Sequence, residues 1–120
     1  MITYKRAQQI NEVIRQELNQ IILQRVEFDL ETIVTIIMAQ TDLELKITKI
    51  FLRVFPENKE RKCLKILKQR TPFLQALLKK KIILRYIPQI KFFIDEKGKK
   101  MEEKEERIEM LFQEIEKTIK

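Results

Sequence analysis

A chain of 120 residues with 25 Lys and Arg against 18 Asp and Glu carries a formal charge of +7, and 44% of its residues are hydrophobic against 36% charged. That balance suits one domain with a real but thin core, two layers deep, and excludes wholesale disorder. The absences narrow the chemistry further. The chain has no His, no Ser and no Trp, one Cys (Cys63) and one Gly (Gly98), so neither a Ser-His or Cys-His catalytic pair nor a zinc site of the usual Cys and His type can be assembled. Phosphate-cradling loops need several glycines for close backbone approach and are excluded with them. The composition therefore predicts a protein that is not an enzyme and holds no cofactor or metal.

Residues 5–25 place Ile10, Val13, Ile14, Leu18, Ile21 and Ile22 three and four apart, the spacing of one apolar helix face. Residues 32–39 are rich in β-branched types and too short for a typical helix, which predicts a strand. A second strand follows at 46–54, where Thr48, Ile50, Leu52 and Val54 alternate with Lys49, Phe51 and Arg53. The polar Thr41-Asp42 between them predicts a tight connection and an antiparallel hairpin.

Pro56 ends the second strand and Asn58 is placed to cap a helix carrying Cys63, Leu64 and Leu67 inward, with Arg61, Lys65 and Lys68 on another face. Arg70-Thr71-Pro72 then predicts a kink. Proline disfavours helical geometry in the residue before it yet suits a helix's first position, so Thr71 would cap a second short helix through Phe73, Leu74, Leu77 and Leu78. Residues 82–87 read as extended, and Ile90, Phe92 and Ile94 alternate with Lys91, Phe93 and Asp95 as a third strand. Residues 96–100 read as a charged linker, and Ile108, Leu111, Phe112, Ile115 and Ile119 form the stripe of a last helix. The order is helix, strand, strand, helix, kink, helix, strand, with an appended helix: an α+β sandwich.

Cys63 has no partner for an internal disulfide, lies in an apolar stretch and is read as core filler. The N-terminal residues 1–6 lack an apolar signal core, and the most apolar stretch, 33–39, is far short of the ~18 residues of a membrane span. A soluble, cytoplasmic protein is expected.

The charge is concentrated. Residues 57–94 hold 11 Lys and Arg against 2 Asp and Glu, while the segments 27–56 and 95–120 are each net acidic. Such a cluster repels itself in the folded state, whereas a merely solvated surface mixes its signs. Lys65, Lys68, Arg70, Lys79, Lys80, Lys81 and Arg85, joined by Lys5, Arg6 and Arg15 of the first helix, are therefore the candidate contacts to nucleic-acid phosphates. Phe73 and Phe92 are read as packing. Tyr86 and Phe93 are expected on the opposite side, where aromatic rings can meet bases.

Several pieces, in this order, resemble the ribosome-binding factor A family: Thr41-Asp42-Leu43 ahead of an alternating strand, Phe73-Leu74, the run from Ile82 through Arg85-Tyr86-Ile87-Pro88-Gln89-Ile90-Lys91 to Phe92, then Asp95, and Arg107-Ile108 with Leu111. The likeness spans about residues 5–112. It implies a type II KH-like fold without a Gly-x-x-Gly loop, and binding to the small (30S) ribosomal subunit or its precursor during late processing of 16S rRNA. Where the family's kink usually reads Ala-x-Gly, this chain has Arg70, Thr71 and Pro72; where a glycine usually follows the second helix's Leu, it has Lys79. The resulting expectation is a KH-like ribosome-binding domain over 1–96, a linker and C-terminal helix over 97–120 packing on or extending from it, and a monomeric assembly factor with small-subunit rRNA as partner. No small-molecule substrate and no membrane are implied. The alternative is an adaptor that pairs with a partner helix through the tail stripe.

Overall fold

The computed structural model describes residues 4–83 and 87–119, with side chains for 6–83 and 87–116. The chain runs α1 (Tyr4–Arg25), β1 (Ile33–Thr41), β2 (Ile47–Phe55), a 3-10 turn (Glu57–Lys59), α2 (Glu60–Lys81), β3 (Gln89–Ile94) and α3 (Glu96–Ile119). The periodicity of α1 does what its spacing requires: Ala7, Ile10, Ile14, Leu18 and Ile21 are all buried. Val13 was expected among them but sits at the rim of that face, 45% exposed.

Antiparallel pairing of β1 with β2 forms the expected hairpin. Its turn is tied by the Asp42 carboxylate, which accepts the backbone N–H groups of Lys46 (2.7 Å) and Ile47 (3.3 Å), while Leu45 takes a left-handed φ of 59°. A bulge between Ile36 and Met38 shifts the register, so that Ile36 and Ala39 both point into the core. The outer edge of β1 is not left bare. Asn19 of α1 accepts the Ile36 N–H (3.0 Å) and donates to the Ile36 carbonyl (3.3 Å), and Asn11 accepts the Thr41 N–H (2.9 Å). Two polar residues on the helix thus satisfy an edge that would otherwise invite another strand.

β3 lies beside β2 and parallel to it, giving the order β1-β2-β3. A parallel neighbour demands a long crossover, and α2 supplies it. Gln75 fastens that crossover to the strand it leads into: its amide donates to the Pro88 carbonyl (2.8 Å) and its oxygen accepts the Ile90 N–H (3.1 Å). Inward residues of the sheet (Ile50, Leu52, Ile90, Phe92) meet Leu67, Leu74 and Leu78 of α2 and Ile14 and Leu18 of α1 in one core. Two threonines lie buried on the same face, Thr41 and Thr48, with hydroxyls 2.8 Å apart. Cys63 is buried as expected, and burial pushes its thiol pKa up.

The α+β order read from the sequence stands, with boundaries redrawn. The two short helices expected around Arg70-Thr71-Pro72 are one helix, Glu60–Lys81, with Pro72 inside it. Thr71 does not cap a new helix; its hydroxyl donates to the Leu67 carbonyl four residues back (2.8 Å). Proline removes one ladder hydrogen bond, to the Lys68 carbonyl, but Leu67, Leu74 and Leu78, on both sides of it, are buried against the same sheet, and that shared burial keeps the helix in register. Asn58 falls in the 3-10 turn, and α2 starts without a side-chain cap.

Residues 96–100, expected as a linker, are the opening of α3. Asp95 explains this: its carboxylate accepts the Gly98 N–H (3.1 Å) as an N-cap, and Lys99 bonds to its carbonyl (3.2 Å). Gly98 is needed for close approach rather than for a turn, because a Cβ there would run into the Asp95 carboxylate and reach within 3.0 Å of Arg53. Arg53 also pairs with Glu102 (2.9 Å), and Lys99 pairs with Glu60 (2.6 Å), which fixes the first turns of α3 to β2 and α2. Beyond them α3 is exposed throughout 101–116. The side chains of Ile108, Leu111, Phe112 and Ile115 are 51–64% exposed and do not pack on the domain; the side chain of Ile119 lies outside the described residues.

Truncating Leu67, wholly buried at the centre of the core, removes contacts on which both helices and the sheet converge. Leu67→Ala should cost about 2–5 kcal/mol, read as a lower urea midpoint with an unchanged m-value.

Candidate nucleic-acid interface

Helical geometry sorts the basic residues of α2. At 100° per residue, Arg61, Lys65, Lys68, Pro72 and Lys79 fall within about 60° of one another on the helix circumference, and all are exposed. This ridge runs along the flank of α2 that borders β3, where Lys68, Thr71 and Pro72 share a groove with Gln89, Lys91 and Phe93. Arg61, not among the ten predicted contacts, joins this face by its spacing of four from Lys65 and seven from Lys68, a signal present in the sequence.

The other candidates lie elsewhere. Arg70 faces α1, where it donates to the Arg25 carbonyl at 3.3 Å and stacks 4.7 Å above the Phe73 ring. Phe73, read as packing, is 39% exposed beneath it. Lys81 and Arg6 border a shallow hollow between the end of α2 and the start of α1. Lys80 is exposed between these two flanks. Arg15 lies toward β1 and is paired with Glu12, a contact that holds the Glu12 carboxyl below its ordinary range and raises Arg15. The side chain of Lys5, and Arg85 and Tyr86 altogether, lie outside the described residues. Of the ten predicted contacts, then, Lys65, Lys68 and Lys79 share the ridge, and Arg6, Arg70 and Lys81 share the α1 side.

Two further cations share one counter-charge within the fold. Asp29 accepts hydrogen bonds from Lys59 (3.0 Å) and Lys62 (2.8 Å), and these two, Lys62 first, hold its carboxyl below the ordinary 3.8. The ridge therefore starts at Arg61. The site holds no nucleophile beside a base, and no group of three or more metal-ligating side chains occurs among the described residues. What the surface offers is spaced, exposed ammonium and guanidinium groups, the chemistry of phosphate contact.

Comparison with known proteins decides the family. The family model described as "Ribosome-binding factor A" matches residues 6–111. This chain belongs to the ribosome-binding factor A family. Curated relatives of that name include one from Thermodesulfovibrio yellowstonii, 28% identical over 98% of this chain and 97% of the relative, and one from Pseudomonas fluorescens, 33% identical over 78% and 72%. Among solved structures, ribosome-binding factor A from Thermus thermophilus superposes with a TM-score of 0.66 at 17% identity, covering 73% of this chain and 94% of that one. A second set of Thermus thermophilus coordinates, fitted into a map of a 30S–ribosome-binding factor A complex, gives 0.60 at 20% identity over 68% and 86%. The fold is thus the KH-like one of this family, reached with a proline inside α2.

The pairing with Asp29 is testable. Asp29→Asn should free Lys59 and Lys62 and delay elution from a heparin column. Since the folded-state pKa of Asp29 is depressed, its ion pairs stabilise the fold above the ordinary carboxylate value and are lost as pH falls through the depressed one. Urea titrations at pH 7 and pH 3 should accordingly show a smaller acid-induced loss of stability in Asp29→Asn than in the parent.

Proposed function

We propose that this protein is a ribosome-binding factor that associates with the small (30S) ribosomal subunit or its precursor and assists late maturation of 16S rRNA, with α2 laid along the rRNA backbone. The observation that carries the contact is the ridge Arg61, Lys65, Lys68 and Lys79, four exposed cations on one flank of a helix whose opposite side is the core. Membership of the ribosome-binding factor A family and the likeness to coordinates fitted into a 30S complex support the choice of partner. No described helix is long and apolar enough to cross a membrane, and the proposed site of action is the cytoplasm.

The ridge does no chemistry on RNA. Its cations displace counterions from several phosphates, so affinity falls steeply with salt and depends little on base sequence. Pro72 sits in the middle of the ridge. It offers a rigid ring and no N–H to a phosphate, so binding here rests on side-chain charge.

A second reading is favoured by one observation, the uncovered stripe of α3: the protein acts as an adaptor, pairing Ile108, Leu111, Phe112 and Ile115 with a partner helix. A monomer by solution mass that still binds subunits after truncation at residue 100 argues for the first reading. A dimer dissolved by that truncation argues for the second.

The triple variant Lys65→Glu, Lys68→Glu, Lys79→Glu should lose co-sedimentation with purified small subunits while keeping the parent's circular dichroism and melting temperature. Normal co-sedimentation would remove the ridge from the interface.

A further inference from the structure

The sheet is covered on one face only. α1 and α2 occupy the inner face; the outer face carries Lys49, Phe51 and Arg53 from β2, Lys91 and Phe93 from β3, and Gln40, Met38 and Thr35 of β1 beside Lys49, Phe51 and Arg53. The register sets these side chains in rows. Phe51 lies directly beside Phe93, ring centroids 5.9 Å apart and planes tilted by 31°. Lys49 lies directly beside Lys91. The two rows are two residues apart along each strand, about 7 Å.

The lysine row is an anomaly for a face that only has to be wet. Like charges directly opposite on neighbouring strands repel, and neither lysine has an acidic partner among the described residues. No acidic residue points outward from any of the three strands. The carboxylates at the far end, Asp95 and Glu102, are committed to Arg53. Phe93 is 40% exposed beside these lysines, with Phe51 half-buried next to it, and an exposed ring gains little unless something covers it.

We infer that the outer sheet face is a second nucleic-acid site, taking a single-stranded RNA segment with a base stacked on Phe93, which Phe51 backs, and its phosphates on Lys49 and Lys91. An aromatic row beside a cationic row at the spacing of one nucleotide is what sheet platforms for single-stranded RNA provide. Every base has a π-face, so the site tolerates sequence but requires bases. It is continuous with the α2 ridge, because Lys91 and Phe93 border the same groove as Lys68 and Pro72. A strand leaving the ridge rounds the edge of β3 and arrives on the outer face. The inference does not rest on the ridge: it stands on the rows themselves.

The test is fluorescence anisotropy of the full chain with three labelled decamers: oligoadenylate, oligouridylate and an abasic sugar-phosphate strand of equal charge. Each is titrated against the parent, Phe93→Leu, the double variant Lys49→Glu/Lys91→Glu, and the α2 triple variant. The base-bearing strands should bind about tenfold more tightly than the abasic one. Phe93→Leu, which stays apolar but removes the ring, should erase about tenfold of affinity for the base-bearing strands and leave the abasic strand unchanged. The double variant should flatten the salt slope by about 1.4, two phosphates' worth for a single strand. Retention of the base preference in the α2 triple variant would establish the outer face as separate from the ridge, and its disappearance there would overturn the inference. So would equal binding of abasic and base-bearing strands by the parent, or parental affinity in both outer-face variants. If those variants instead lose only an acidic amphipathic peptide of sequence 101–116, the face is a protein-docking surface and the RNA assignment fails.

Discussion

Everything in this molecule follows from a three-stranded sheet that buries one face and not the other. With 36% of its residues charged, the chain has enough apolar side chains for a single core layer, and α1 and α2 fill it: Ile14 and Leu18 from one helix, Leu67, Leu74 and Leu78 from the other, against Ile50, Leu52 and Ile90. Large-to-small changes there cost several kcal/mol each, so the inner face is fixed. Both the exposed flank of α2 and the outer face of the sheet are then free to carry charge without stability cost to the core. Cationic surface and scaffold share elements but not side chains, since helix and strand periodicities put them on opposite sides.

Within that frame the proline of α2 shows how local and tertiary preferences are weighed. Proline in a helix interior is unfavourable by about 3 kcal/mol relative to alanine, and read locally Arg70-Thr71-Pro72 says stop and restart. Leu67 before it and Leu74 and Leu78 after it fall on one stripe and are all completely buried. Burying even two leucines offsets a cost of that size. The Thr71 hydroxyl, bonded to the Leu67 carbonyl, adds a second local concession that the packing absorbs.

The elements with clean periodicity were legible from residues alone. Ile10, Ile14, Leu18 and Ile21 announced α1, the alternation Thr48, Ile50, Leu52, Val54 announced β2, and Ile90 with Phe92 announced β3. Illegible were features decided by partners distant in sequence. That β3 runs parallel to β2 follows from the crossover rather than from its own residues. The opening of α3 depends on Asp95 capping Gly98 and on Lys99 reaching Glu60 on another helix, which a run of Glu, Lys and Gly does not reveal. For the surface, the concentration of charge in 57–94 was visible, but its partition was not. Arg70 belongs to the C-terminus of α1, and Lys59 and Lys62 belong to Asp29. A linear count of cations overstates a binding face wherever tertiary structure supplies the counter-charge.

The charge left over after those internal pairings is what gives the molecule polarity. The ridge of α2 and the lysine row of the sheet are cationic and face outward on either side of β3. Acidic residues concentrate instead in α3, where Glu102, Glu103, Glu105, Glu106 and Glu109 occur within eight positions. Its first turns are clamped by Arg53 and by Lys99, which reaches Glu60 at the start of α2, and past Glu102 its side chains are exposed through 116. A polyanion approaching along β3 is attracted by the two cationic rows and repelled by the extended helix at one end. For the strand proposed to lie on this face, that asymmetry sets a preferred side of entry and a limit on how far along the sheet it can run, which a uniformly basic surface would not.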